Sequence, residues 1–122
     1  AAAEVSVHTV AAMPGQTDAL LVCARLNMAH LYSLTGQLLR SYSTGKAVGG
    51  DLVCARPSPR GKWVYACGED GILYCFAAET GELDRTLTVT APDMEVAGLA
   101  HHPHRNMLAT FGAEGILKLW KG

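Results

Sequence analysis

Pro59-Arg60-Gly61-Lys62-Trp63-Val64-Tyr65-Ala66-Cys67-Gly68-Glu69-Asp70-Gly71-Ile72-Leu73-Tyr74-Cys75-Phe76 lies without a gap over a second stretch of the same chain. That stretch is Pro103-His104-Arg105-Asn106-Met107-Leu108-Ala109-Thr110-Phe111-Gly112-Ala113-Glu114-Gly115-Ile116-Leu117-Lys118-Leu119-Trp120, at an offset of 44 residues. The proline, two glycines and the Ile-Leu pair are identical, and Phe76 meets Trp120. A weaker copy lies 45 residues upstream, where Pro14 matches Pro59, Leu31 matches Phe76, Thr35-Gly36 matches Thr80-Gly81 and Arg40 matches Arg85. A period of this length belongs to a four-stranded propeller blade and also to some helical repeats. The content of each repeat decides between them.

The middle repeat reads as short β-type runs at 52–55, 63–67, 72–76 and 83–89, separated by turn chemistry. Asp70-Gly71 and Thr80-Gly81 suit tight turns, because glycine accepts positive φ without a Cβ clash. Pro57 and Pro59 would break a helical repeat. Short strands spaced by turns every 8–12 residues are an all-β signal. One segment reads the other way: between Asp18 and Arg40, Leu20, Ala24, Met28 and Leu31 fall on a helical stripe. Alignment to the two clear repeats overrides that stripe. The remaining strands are predicted near 5–10, 19–24, 28–34, 38–42, 96–100, 107–111 and 116–120.

The 122 residues are 49% hydrophobic and 17% charged, the mix of a folded globular domain. Ten Lys+Arg against eleven Asp+Glu give a net charge of -1, with the cations scattered singly. Charge-driven binding to nucleic acid or an anionic membrane is not expected from that distribution. No apolar run reaches the length of a membrane span. Cys23, Cys54, Cys67 and Cys75 include no C-x-x-C pair, so a structural zinc is not expected. Set among Val, Ala, Leu and Tyr, they read as buried thiols of a reducing compartment.

Candidate chemistry is sparse. His101, His102 and His104 fall in the turn equivalent to 57–60 and read as turn residues rather than metal ligands. Ser43-Thr44-Gly45-Lys46 fails as a phosphate loop, since Arg40 and Ala47 stand where a Gly and a Ser or Thr are needed; it reads as a flexible surface loop. Glu69-Asp70, and Glu79 with Glu82 and Asp84, flank turns where charges are solvated. Ser58, His101 and Asp51 lack a surrounding nucleophile motif, so no catalytic residue and no cofactor is assigned. Trp63, Tyr65, Tyr74, Phe76, Phe111 and Trp120 read as packing between sheets, with Tyr65 and Tyr74 the two that alternation could bring to the surface.

The Pro-x-Gly turn, the x-Asp-Gly turn and the closing Leu-x-Leu-Trp resemble WD40 repeats. Gly49-Gly50-Asp51, Ser58-Pro59-Arg60-Gly61, Ala100-His101-His102-Pro103-His104 and Leu117-Lys118-Leu119-Trp120-Lys121 are more narrowly similar to the C-terminal blades of a spliceosomal WD40 family. The resemblance covers most of the chain and is strongest from Ser41 to Lys121. It implies an all-β propeller fragment of about three four-stranded antiparallel blades, near 1–44, 45–88 and 89–122, the last without its outer strand. Propellers close with about 4–8 blades, so further blades would come from the rest of a longer chain or from a partner.

The function so implied is a non-catalytic scaffold of the nucleus that binds spliceosomal proteins, without direct sequence-specific nucleic-acid binding. The alternative is a generic WD40 adaptor, such as a ubiquitin ligase substrate receptor. Contacts are expected on loops entering the innermost strands and on second-to-third strand turns, at Lys46, Asp51, Glu69, Asp70, Asp93, Glu95 and Glu114. The chain departs from the family in having neither Gly-His nor Trp-Asp. Asp70 and Glu114 remain as acidic members of an otherwise incomplete His-to-Asp network, so blade stability is expected to rest mainly on apolar packing.

Overall fold

The computed structural model describes residues 7–16, 18–46, 50–90, 96–112, 115 and 117–121. Eleven strands follow one another: β1 Val7–Ala12, β2 Ala19–Ala24, β3 Met28–Ser33, β4 Leu38–Ser43, β5 Leu52–Pro57, β6 Trp63–Gly68, β7 Ile72–Ala77, β8 Leu83–Thr88, β9 Val96–His101, β10 Met107–Gly112 and β11 Leu117–Lys121. They form antiparallel meanders of four (β1 to β4), four (β5 to β8) and three strands (β9 to β11). The sheets pack in chain order, with β5 against β1 on one side and against β9 on the other. Among the described residues the ring is not closed.

The repeat survives into backbone detail. Register shifts recur one repeat apart, at Val7/Thr9 and Leu52/Cys54 and at Leu31/Tyr32 and Cys75/Phe76. Every described residue with positive φ is a glycine. The segment with the helical stripe forms β2 and β3: Leu21, Cys23, Ala29 and Leu31 are fully buried, alternating with more exposed neighbours. Period two wins over period 3.6 because the face of sheet one toward β5 to β8 is the one covered.

Two apolar layers hold the three sheets. Leu21, Leu31, Tyr42, Leu52, Val64 and Phe76 fill the first, with Tyr42 and Phe76 rings 5.7 Å apart. Tyr65, Cys67, Leu73, Cys75, Leu99 and Leu108 fill the second, flanked by Trp63 and Trp120. Strands β6 and β7 of the middle sheet are therefore buried on both faces, and neither Tyr65 nor Tyr74 reaches the surface. Each fully buried large side chain contributes about 1.5–3 kcal/mol of transfer free energy. Phe111 corrects the sequence reading. It is 51% exposed, on the face of β10 opposite the buried Leu108 and Thr110, where none of the other described sheets packs.

Polar ties span the first layer. Tyr42 Oη and an Arg40 guanidinium N–H both donate to the Ala78 carbonyl, at 2.8 and 2.9 Å. The His8 Nε2–H donates to the Leu52 carbonyl at 3.0 Å, which leaves Nδ1 to accept from the Thr9 hydroxyl at 2.8 Å. At the opposite end from the β4–β5 connection, the turn after β5 presses on the turn after β1. There Gly61 has φ +72°, and an added Cβ would fall on the Pro14 carbonyl oxygen. Gly36 shares the positive φ but has open space around it. Gly36→Ala is expected to cost only the left-handed backbone, about 1–2 kcal/mol. Gly61→Ala is expected to cost clearly more, and chemical denaturation of both variants measures the difference.

Candidate functional site

The β4–β5 connection, the β2–β3 turn and the β6–β7 turn meet at one end of the sheets. Their backbones are stitched together before any side chain acts. Thr44 N–H donates to the Asn27 carbonyl, Leu52 N–H to the Leu26 carbonyl and Glu69 N–H to the Asp51 carbonyl, at 2.7–2.9 Å. Asn27 Nδ2 adds a 2.8 Å bond to the Lys46 carbonyl. The Thr44 hydroxyl accepts the Lys46 N–H, and Thr44 itself is buried. Residues 44–46 leave β4 as a loop at the surface, its backbone tied to Asn27.

Asp70 is the centre of this end. Its Oδ2 accepts from Lys46 Nζ and from Tyr74 Oη, both at 2.6 Å, and its Oδ1 accepts the Ile72 N–H at 3.2 Å. The positive φ of Gly71 closes the turn tightly enough for this, and its N–H bonds the Gly68 carbonyl. Burial alone would raise the Asp70 pKa, but hydrogen bonds from Lys46, Tyr74 and Ile72 and the ammonium charge outweigh it and hold it below the usual value. Burial, then the bond to Asp70, pushes the Tyr74 phenol up to about 12. The acidic member of the blade network is therefore satisfied, with Lys46 and Tyr74 as donors.

The other candidates divide. Glu69 faces Arg25 at 3.4 Å, a half-exposed pair worth little stability. The Asp51 carbonyl is used by Glu69, while its side chain is half-buried at the surface of the same end. Lys46, Asp51, Glu69 and Asp70 are thus brought together; Asp93, Glu95 and Glu114 lie outside the described residues. Sequence reasoning missed Arg25, Asn27 and Tyr74. Arg25 was findable: it sits 44 residues before Glu69, so neighbouring sheets place the two at equivalent positions with opposite charge.

Other chemistry is muted. Burial and the Cys54 charge push the Cys23 thiol up to about 12. A hydrogen bond with the Cys54 thiol, then burial, pushes Cys67 far above the ordinary thiol range. Such thiols stay protonated and pack as apolar groups. Among the described residues no three His, Cys, Asp or Glu side chains form a metal-holding group. In the last repeat, Trp120 Nε1–H donates to the Thr110 hydroxyl at 3.0 Å.

Asp70→Ala would leave the buried Tyr74 hydroxyl without its acceptor and is expected to cost about 1–3 kcal/mol. A depressed carboxylate pKa stabilises the fold above its unfolded value, and that contribution is lost as pH falls through the folded one. Stability of the wild type should therefore drop on acidification below about pH 4, near the unperturbed carboxylate value. Asp70→Asn should lack that part of the acid slope. Urea titrations at several pH values measure both.

The WD domain, G-beta repeat family matches residues 36–76 and 81–121. WD40 repeat-containing protein smu1 of Dictyostelium discoideum is 32% identical over 118 residues, covering 97% of this chain. The chain spans only 22% of that relative's length. Among solved structures, the RRP9 WD40 repeats superpose with a TM-score of 0.83 at 18% identity, covering 99% of this chain and 37% of theirs. The β-propeller domain of Cps50 (Swd1) from Myceliophteria thermophila gives 0.78 at 22% identity, covering 95% and 38%. At those identities the structures speak to the fold alone, and the fold is the β-propeller. With two family matches that together span most of its length, the chain belongs to the WD40 repeat family.

Proposed function

We propose that the chain is part of a non-catalytic scaffold that holds spliceosomal proteins together in the nucleus during pre-mRNA splicing. The observation that carries this reading is the match to the smu1 protein over 97% of the chain. It is supported by the Gly-Gly-Asp and Ala-His-His-Pro-His strings, which resemble the spliceosomal branch of the family. A WD40 propeller binds partners on its loops, and nothing in the chemistry above activates a nucleophile or positions an acid and a base. Residues 1–122 are taken as part of a propeller with blades near 1–44, 45–88 and 89–122, completed by further blades.

The contact surface we assign is the end built around Asp70. Lys46 and Asp70 are spent on each other and act mainly as the brace that fixes the loops. Asp51 is half-buried beside that brace and Glu69 pairs with Arg25 at its rim, and Asp93, Glu95 and Glu114 are proposed for the same surface from their place in the repeat.

Affinity capture of the tagged full-length protein from nuclear extract, followed by mass spectrometry, tests both parts. Spliceosomal proteins are expected in the wild-type capture and at several-fold lower recovery with Asp51→Lys/Glu69→Lys. Recovery of a distinct complex without splicing proteins would overturn the splicing role. Unchanged recovery in the variant would overturn the surface.

A further inference from the structure

At the opposite end, the turns after β5 and β9 enclose a cleft of about 370 Å³. Arg60, Lys62, Arg105, His101, His102 and His104 line it, together with Trp63, and no Asp or Glu does among the described residues. The side chains of Arg60, Lys62 and Arg105 have no hydrogen-bond or ion-pair partner among the described residues. A chain with net charge -1 thus gathers three unpaired cations and three imidazoles at one place. An adjoining hollow of about 400 Å³ adds Arg56 and again has no carboxylate among the described residues.

Both walls are built rather than loose. On one, the Ser58 hydroxyl accepts the Trp63 N–H at 3.0 Å, Ser58 N–H donates to the Trp63 carbonyl, and Gly61 N–H donates to the Ser58 carbonyl. On the other, His102 Nδ1 accepts the N–H groups of both His104 and Arg105 at 3.1 Å. The neutral His102 ring therefore carries its proton on Nε2, as a further donor. The backbone that carries Arg60, Lys62 and Arg105 is thus held in place, and ordering on binding is confined to their side chains.

We propose that this cleft docks an acidic, Asp- and Glu-rich segment of a partner protein. The cations come from two turns on neighbouring sheets, which suits several spaced carboxylates better than one phosphate group. Single-stranded RNA would call for exposed aromatic platforms as well as charge. Here Tyr65 is buried against the ring of His101, at 5.5 Å, and Trp63, partly buried against the second apolar layer, leaves only part of its ring to the cleft. The proposal rests on the scaffold reading only in taking the ligand to be a protein, and it concerns the end opposite Asp70.

Fluorescence anisotropy with the purified full-length protein tests it, without any splicing component. The probes are a labelled 12-residue Asp/Glu peptide, a neutral peptide carrying one phosphoserine, and a 12-nucleotide single-stranded RNA. The acidic peptide is expected to bind most tightly and to weaken as salt is raised. Arg60→Glu/Arg105→Glu should weaken it at least tenfold and Lys62→Glu severalfold. Thr88→Glu, on the exposed strand β8, should leave it unchanged. Absence of binding, equal binding by the variants, or tighter binding of the RNA or the phosphopeptide would each overturn the proposal. Should the double variant lose its β-sheet circular dichroism, Lys62→Glu decides in its place. Failure here with spliceosomal capture intact would reject this cleft and leave the scaffold role standing.

Discussion

The middle sheet is the element on which the rest depends, because its strands β6 and β7 alone are covered on both faces among the described residues. Val64, Ala66 and Phe76 point into the layer shared with β1 to β4, while Tyr65, Cys67 and Cys75 point into the layer shared with β9 to β11. Alternation along β6 and β7 thus serves two interfaces at once, which is why both strands read as nearly continuous apolar runs. The same double burial explains the thiols. A small apolar-behaving side chain fits where two twisted sheets converge, and burial removes the reactivity that exposed cysteine would bring.

The outer strands follow the opposite rule. All six residues of β8 are exposed, with Asp84 and Arg85 among them, and charge on an edge discourages pairing with other chains. Strand β11 is an edge as well, with Leu117 and Leu119 64% and 62% exposed. Its apolar residues await cover that lies beyond the described strands, consistent with a propeller that needs more blades.

Much of this was legible in the sequence, and the repeat made it so. The 44-residue offset carried the well-marked turns of the second and third repeats onto the first, where β2 and β3 taken alone match a helix. All eleven strands fell close to the expected runs. What the repeat did not reveal were contacts made by residues that differ between copies. Tyr42, fully buried and bonded to Ala78, has Leu87 at the equivalent place on exposed β8 and so gave no repeated signal. Phe111 stands one repeat after the fully buried Cys67 but faces outward, since burial depends on which sheet lies opposite rather than on residue type. The site was half legible: the acidic turn was visible, whereas the part of Lys46 and Tyr74 in satisfying Asp70 depends on loops converging in space.

Function then divides between a frame and its surfaces. The Lys46–Asp70–Tyr74 brace and the buried layers fix the loops, and the contact surfaces we propose lie at the two ends of that frame. Hydrogen exchange of backbone amides, followed strand by strand on the 122-residue chain, tests the frame most directly. The account predicts slowest exchange in β6 and β7, intermediate exchange in β2, β3 and β10, and fastest exchange in β8 and β11. Exchange in β6 and β7 as fast as in β8 would contradict a structure organised on a doubly buried middle sheet.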